Sequence, residues 1–262
     1  METKVIRNQG RTFDQIRPLN IRYDVFEYAS ASVFLELGKT KVLCAITLQN
    51  SVPPFLKGKK VGWLTAEYSM LPAATHMRKE RESAVKQNGR SIEISRLIGR
   101  VLRSVVSLDQ LGERTIVVDC DVVQADGGTR TACISGAYIA LKIAVERWLA
   151  LGKITSTILR DDIAAISVGA KDDTLLLDLD FSEDSSVDAD FNFVLTRSGN
   201  LVELQGSAEQ KPIAWHQVEK MRLLAQKGVE EIFKMTNKPQ EQLQSTKQPF
   251  NSIRIRSDET SL

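Results

Sequence analysis

Cysteine and histidine are scarce in this sequence, with three and two among 262 residues. Cys44, Cys120 and Cys133 each stand inside an apolar run, and no CxxC pair is present. That argues against a disulfide scaffold and against a structural zinc site. The three cysteines read as buried reduced thiols in a cytoplasmic protein. No apolar run approaches the ~18 residues of a membrane span, and the opening METKVIRNQGRTFDQIRP has no segment of signal-peptide type. No repeat of solenoid period is found. GxSxG, GxxxxGK, GxGxxG and EF-hand spacing are all missing, and neither His76 nor His216 stands in a nucleophile motif. A protein nucleophile with a histidine base is therefore not suggested.

What is present suits a globular protein of one or two domains: 42% hydrophobic and 26% charged residues, enough to build a core without staples. Net charge is only +2, but it is unevenly spread. Residues 78–103 carry eight Lys/Arg and three Glu, whereas 172–190 carry eight Asp/Glu and no Lys or Arg. On charge alone, two separately solvated surfaces are the simpler reading. The alternative is a polyanion and a hard cation meeting at one site.

Periodicity predicts a hairpin over Ser32–Leu37 and Lys41–Leu48, and strands at Gly62–Tyr68, Thr115–Val123, Ile163–Val168, Leu175–Asp180, Asn192–Thr196 and Leu201–Gln205. It predicts helices over Ser91–Val106, Thr129–Leu149 and Trp215–Met235. Arg78–Asn88 reads as a charged surface loop, and 182–188 as a turn. On the first helix, Arg96, Arg100 and Arg103 share one flank. Hairpins, a helix, a strand, a helix, further strands and a last helix make an α+β or mixed α/β chain rather than an all-parallel doubly wound one. Residues 1–237 form the folded domain in this reading, and 238–262 a polar, mobile tail.

Three places could carry chemistry. In strand–QADGGTR–helix, two glycines allow a tight turn that delivers Thr129 and Arg130 to a helix N-terminus, where unpaired N–H groups and the helix dipole favour an anion. Either this is a phosphate cradle or Thr129 merely caps the helix. Asp178, Asp180, Glu183, Asp184, Asp188 and Asp190 crowd along one hairpin, as a Mg2+ site completed by substrate phosphate would require, or as a solvated acidic turn would allow. Gly89-Arg90 sets a bidentate donor at a helix start, for an anion or simply as a surface arginine.

Together these segments resemble the ribonuclease PH family. The resemblance lies in GRSIEISRLIGRVLRSVV (89–106), LGERTIVVDCDVVQADGGTRTACISGA (111–137) and DLDFSEDSSVDADFN (178–192), with VPPFLKGKKVGWLTAEYSMLP (52–72) and LVELQGSAE (201–209). It runs from about Arg7 to Met235. It implies an α+β ribonuclease PH-like fold with mixed sheets and flanking helices (ribosomal protein S5 domain 2-like), shared with polynucleotide phosphorylase and the exosome ring. It also implies a cytoplasmic homohexamer, a trimer of dimers. The implied activity is phosphate-dependent 3′-to-5′ trimming of tRNA precursors and other RNA 3′ ends, releasing nucleoside diphosphates; the reverse reaction is a nucleotidyl transfer.

Carried over by position, Arg90, Gly128, Thr129 and Arg130 bind inorganic phosphate, the co-substrate. Asp184 and Asp190 hold Mg2+ and, with Arg130, act in catalysis. Arg78, Arg81 and Arg96 bind RNA, and Asp178, Asp180 and Asp188 are left as solvated or structural acids. Two departures stand out: Ala73 occupies a position that is commonly arginine, and AEQKPI (208–213) stands for AEGEPF. An RNA-binding ring subunit without catalysis, or a hydrolytic Mg2+ nuclease, are the competing readings.

Overall fold

Alternation of apolar and polar residues in TIVVDCDVVQ builds the central strand of a five-stranded sheet. The computed structural model describes residues 7, 10–82 and 88–236. In chain order β1 is Leu19–Tyr23, β2 Ala31–Leu37, β3 Thr40–Gln49, β4 Trp63–Met70, α1 Gly89–Ser104, α2 Leu108–Leu111 and β5 Thr115–Gln124. There follow α3 Thr129–Ala150, β6 Ile163–Lys171, β7 Thr174–Leu177, α4 Phe181–Asp184, β8 Ala189–Thr196, β9 Leu201–Ala208 and α5 Trp215–Thr236. The first sheet has the order β1-β2-β3-β5-β4, and the second β7-β6-β8-β9. All pairings are antiparallel except β4 with β5, which are joined through α1 as a β-α-β unit.

The predicted strands and long helices are all present, mostly one to three residues longer than the sequence reading. Asn88 caps α1, its side chain accepting from the Arg90 N–H at 3.1 Å. Ile94, Leu97, Ile98, Val101 and Leu102 bury the stripe that periodicity marked. α3 differs in kind from a one-sided helix. It packs on β2 and β3 of the first sheet and on β6 of the second, so it is buried nearly all round. Gly136 in its middle lets it approach β3, since a Cβ there would lie 2.9 Å from the Cys44 sulfur. Cys44, Cys120 and Cys133 are free and buried, as expected. β6 is buried along all but its last residue because α3 covers one face and α5 packs on the same strand.

Four described elements went unseen in the sequence, one of them a single 3-10 turn at Pro54–Leu56. β1 is an edge strand of only five residues; LNIRY alternates cleanly, but the run is too short to stand out. α2 and α4 are single turns of four residues each. The predicted 182–188 turn therefore begins inside α4, and the preceding strand stops at Leu177 rather than Asp180. The tail at 238–262 lies outside the described residues.

Candidate active site

The turn between β5 and α3 is held from three sides. Gly127 and Gly128 have φ of 75° and 61°, in the left-handed region that glycine enters without strain. A Cβ on Gly127 would meet the Leu179 carbonyl oxygen at 2.5 Å, so the turn touches the backbone entering the acidic segment. The Thr40 hydroxyl donates to the Gly127 carbonyl (2.7 Å) and accepts from the Asp126 N–H (3.0 Å). Arg17, almost wholly buried, donates from Nη1 to the Asp126 carbonyl (2.5 Å). Its Nε and Nη2 grip the two oxygens of Asp178 at 2.9 and 2.7 Å.

α3 starts directly from this turn. The Ala132 N–H donates to the Gly128 carbonyl at 3.0 Å, so the N–H groups of Thr129, Arg130 and Thr131 precede the first helical acceptor. Gly128, not Thr129, is the N-cap, and no side chain caps this end. The Thr129 hydroxyl is instead buried 3.1 Å from the Tyr68 hydroxyl. Arg130 donates from Nη1 to Gln205 Oε1 at 2.8 Å and stands 3.9 Å from Glu93. Arg90 is exposed on the first turn of α1.

The acidic segment divides by role. Asp178 is fully buried on Arg17 and holds the Arg17 backbone N–H as well. Asp180 starts α4 with a capping box: its side chain accepts from the Ser182 and Glu183 N–H groups, and Glu183 accepts from the Asp180 N–H. Glu183 is in turn gripped by both Nε and Nη2 of Arg7, at 2.7 and 2.6 Å. Asp188 pairs with Lys211 at 3.0 Å and accepts from the Asp172 N–H. These four are structural, which agrees with the sequence reading for Asp178, Asp180 and Asp188.

Asp184, the last residue of α4, and Asp190, on β8, are the two of this segment that line the same cavity as Arg90 and Arg130. Both carboxyls are shifted above the ordinary carboxylate range. For Asp184 the cause is loss of solvent and then the charge of Asp190, partly offset by Arg90. For Asp190 it is loss of solvent and then Glu209, partly offset by Arg130.

One cavity of about 930 Å3 is lined by Arg78, Arg90, Gly128, Thr129, Arg130, Asp184 and Asp190 together. The basic and acidic segments thus meet, and the simpler reading from charge, two separate surfaces, does not hold. Glu93, Asn192, Gln205 and Glu209 also line the cavity and had no local signal in the sequence. Arg81 and Arg96 are exposed and do not line it. Of the arginines on the flank of α1, Arg100 is engaged by Glu203 at 2.7 Å, and Arg103 donates to the Leu64 carbonyl and lies over the Trp63 ring.

Among the described residues, no three His, Cys, Asp or Glu side chains gather as a metal site by themselves. The Asp190 charge raises the proton affinity of Asp184, and Glu209 does the same to Asp190, so negative charge is concentrated at this wall of the cavity. A hard cation bound there would need its other oxygens from phosphate and water, the usual way Mg2+ is held. The donor set fits that ion.

Two family models match the chain: "3′ exoribonuclease family, domain 1" over residues 15–145, and "domain 2" of the same family over 161–228. The chain is 49% identical over 224 residues to proteins named Ribonuclease PH from Neisseria meningitidis serogroups C and A, covering 85% of this chain and 93% of theirs. In fold it is similar to rice Rrp46, with a TM-score of 0.71 and 18% identity over 88% of this chain and 98% of that one. It is likewise similar to a chain of the Archaeoglobus fulgidus exosome, solved with RNA bound to the active site. There the TM-score is 0.74 and the identity 21%, over 88% of this chain and 92% of that one. The glycine turn that opens α3 and the two cavity-facing carboxylates therefore sit on a chain that belongs to the 3′ exoribonuclease family of ribonuclease PH.

Proposed function

We propose that this protein is a phosphorolytic 3′-to-5′ exoribonuclease that trims the 3′ ends of tRNA precursors and releases nucleoside diphosphates. One observation carries the reading: a single cavity unites Arg90, Arg130 and the open N-terminus of α3 with Asp184 and Asp190. A hydrolytic nuclease would use the carboxylates but has no need of a second anion site beside them. α3, packed on both sheets, supports treating residues 1–237 as one catalytic domain.

In this mechanism inorganic phosphate lies against the N–H groups that open α3, with the Arg90 and Arg130 guanidiniums as charge-assisted donors. Held there, it is aimed at the terminal phosphodiester, which replaces a bimolecular encounter by a positioned one. A phosphate oxygen forms a new P–O bond as the bond to the preceding 3′ oxygen breaks. The products are a nucleoside diphosphate and an RNA shortened by one nucleotide, whose 3′ oxygen gains a proton. Asp184, with a raised proton affinity and a place at the cavity wall, is the group that hands over that proton. Mg2+ held by Asp184 and Asp190 would offset the negative charge gathered on the reacting phosphates. With one Asp184 carboxyl serving both tasks, its protonation and its metal binding compete.

The basic residues outside the cavity support assembly. Arg81 and Arg96 do not line their own chain's cavity, and a homohexamer would set such residues beside a neighbour's RNA path. No described helix is long and apolar enough to cross a membrane. The experiment is incubation of the purified protein with a tRNA precursor bearing a 3′ extension, with and without phosphate. Diphosphates that appear only with phosphate are expected. Monophosphates released at equal rate without it would overturn the reading.

A further inference from the structure

The cavity has a feature that phosphate chemistry does not use. Phe181 opens α4 and is 52% exposed, although its neighbours in sequence are serine and acids. The exposed His76 ring lies against it, with centroids 5.7 Å apart and planes tilted by 51°. Both rings line the cavity that holds Arg130 and Asp184, and both also line an adjoining cavity of about 680 Å3. The pair is thus a ridge between the two spaces. It is a rigid ridge, because the capping box and the Arg7 grip on Glu183 fix α4.

From this we infer that Phe181, backed by His76, is the stacking platform for the terminal base of the RNA, a nucleobase subsite beside the phosphate site. The inference rests on the exoribonuclease reading above. An enzyme that removes nucleotides one after another meets every base in turn, so it cannot depend on hydrogen bonds to base edges. Every base offers a π-face, and aromatic side chains hold unstacked single strands through it without sequence preference. The charge complement is in the same cavity, where Arg78 is placed for the phosphate on the 5′ side of that base. Apolar ring and guanidinium together match a single-stranded nucleotide: one surface for the base and one for the backbone.

The test is binding of a short RNA whose 3′-terminal base is 2-aminopurine, in chelator and without phosphate, so that no chemistry follows. Wild type should quench the 2-aminopurine. Stacking is worth about 1–3 kcal/mol per base, so Phe181→Ala should weaken binding roughly 5- to 150-fold and abolish the quench. Phe181→Trp should restore both, and Tyr28→Ala, at a 97% exposed ring outside both cavities, should behave as wild type. RNA ending in an abasic nucleotide should bind weakly and be indifferent to Phe181→Ala, an outcome that general damage to the site would not give. Equal binding and quenching by wild type and Phe181→Ala would overturn the platform. Should phosphate dependence fail while the Phe181-sensitive quench persists, the reaction assigned above falls and the base subsite stands.

Discussion

The guanidinium of Arg17 and the carboxylate of Asp178, 161 residues apart in the chain, form a two-pronged ion pair with almost no exposure to solvent. Through Nη1, the same guanidinium holds the Asp126 carbonyl in the QADGGTR turn. One side chain thereby ties the turn that opens α3 to the segment that carries Asp184, and so sets the distance between the two halves of the cavity. The desolvation of Arg17 is more than offset by Asp178 together with the charges of Asp126 and Asp180, and its proton is held more tightly than usual.

Removing one partner leaves the other buried and uncompensated. Asp178→Ala is expected to destabilise the protein by about 3–5 kcal/mol. Urea unfolding followed by circular dichroism measures it as a fall in the transition midpoint. A loss below about 1 kcal/mol would show that the pair does not hold the two segments together.

Asp184 and Asp190 give a pH prediction of definite sign. Each holds its proton more tightly when folded than a free carboxyl does. Folding is therefore progressively disfavoured as pH rises from the ordinary carboxylate value through the raised one, and the full penalty is present above it. Asp190→Asn removes one charge and relieves Asp184. At pH 7 in chelator, the variant should melt at a higher temperature than wild type, while Mg2+ should raise the wild-type melting temperature more than the variant's. Differential scanning calorimetry at pH 7 with and without Mg2+ decides it, and a lower melting point for the variant in chelator contradicts it.

Arg130 is predicted to carry the response to phosphate. Arg130→Ala should lower kcat/KM for phosphate by about 10²–10³-fold, the cost of removing a donor aimed at developing charge. Arg130→Lys should recover only part, because a single ammonium cannot reproduce a fork. Steady-state rates at graded phosphate with saturating RNA would test this, and a variant with an unaltered phosphate KM and kcat would exclude the role.

Ala73 is exposed on the wall of the 680 Å3 cavity, beside His76 and near Arg11 and Lys39. Ala73→Arg should add one phosphate contact there. RNA binding should tighten, and the slope of log affinity against log salt should steepen by roughly 0.7–0.9. Because phosphate contacts carry no base information, the gain should be equal across tRNA precursors. Filter binding at several salt concentrations supplies the slopes; identical slopes would mean the position does not meet RNA.

Much of this site could be read along the chain because its chemistry is local. Gly127-Gly128 precede a helix by sequence alone, and the apolar stripe of α1 follows from spacing of three and four. Arg90, Thr129 and Arg130 stand at helix starts, which propensity and the turn glycines fix before any tertiary contact forms. What spacing could not reveal is which acids face the cavity. Asp180 and Asp184 look alike in a row of carboxylates, yet one caps α4 while the other ends it and turns to the cavity.

Sequence by itself determined the three long helices, most of the strands and the apolar stripe of α1, since these depend on periods of two and 3.6 residues within single segments, and with them the family motifs. Tertiary structure alone decided the rest. A buried charge must find its partner wherever the fold brings one, so Arg7, Arg11 and Arg17, unremarked in the N-terminal segment, became the anchors of the acidic one. The Thr129 hydroxyl went to Tyr68 on β4 rather than to a cap, because β4 lies beside β5 in the sheet. Likewise the basic and acidic segments, with residues 104–171 between them, became one cavity only because α3 packs on both sheets.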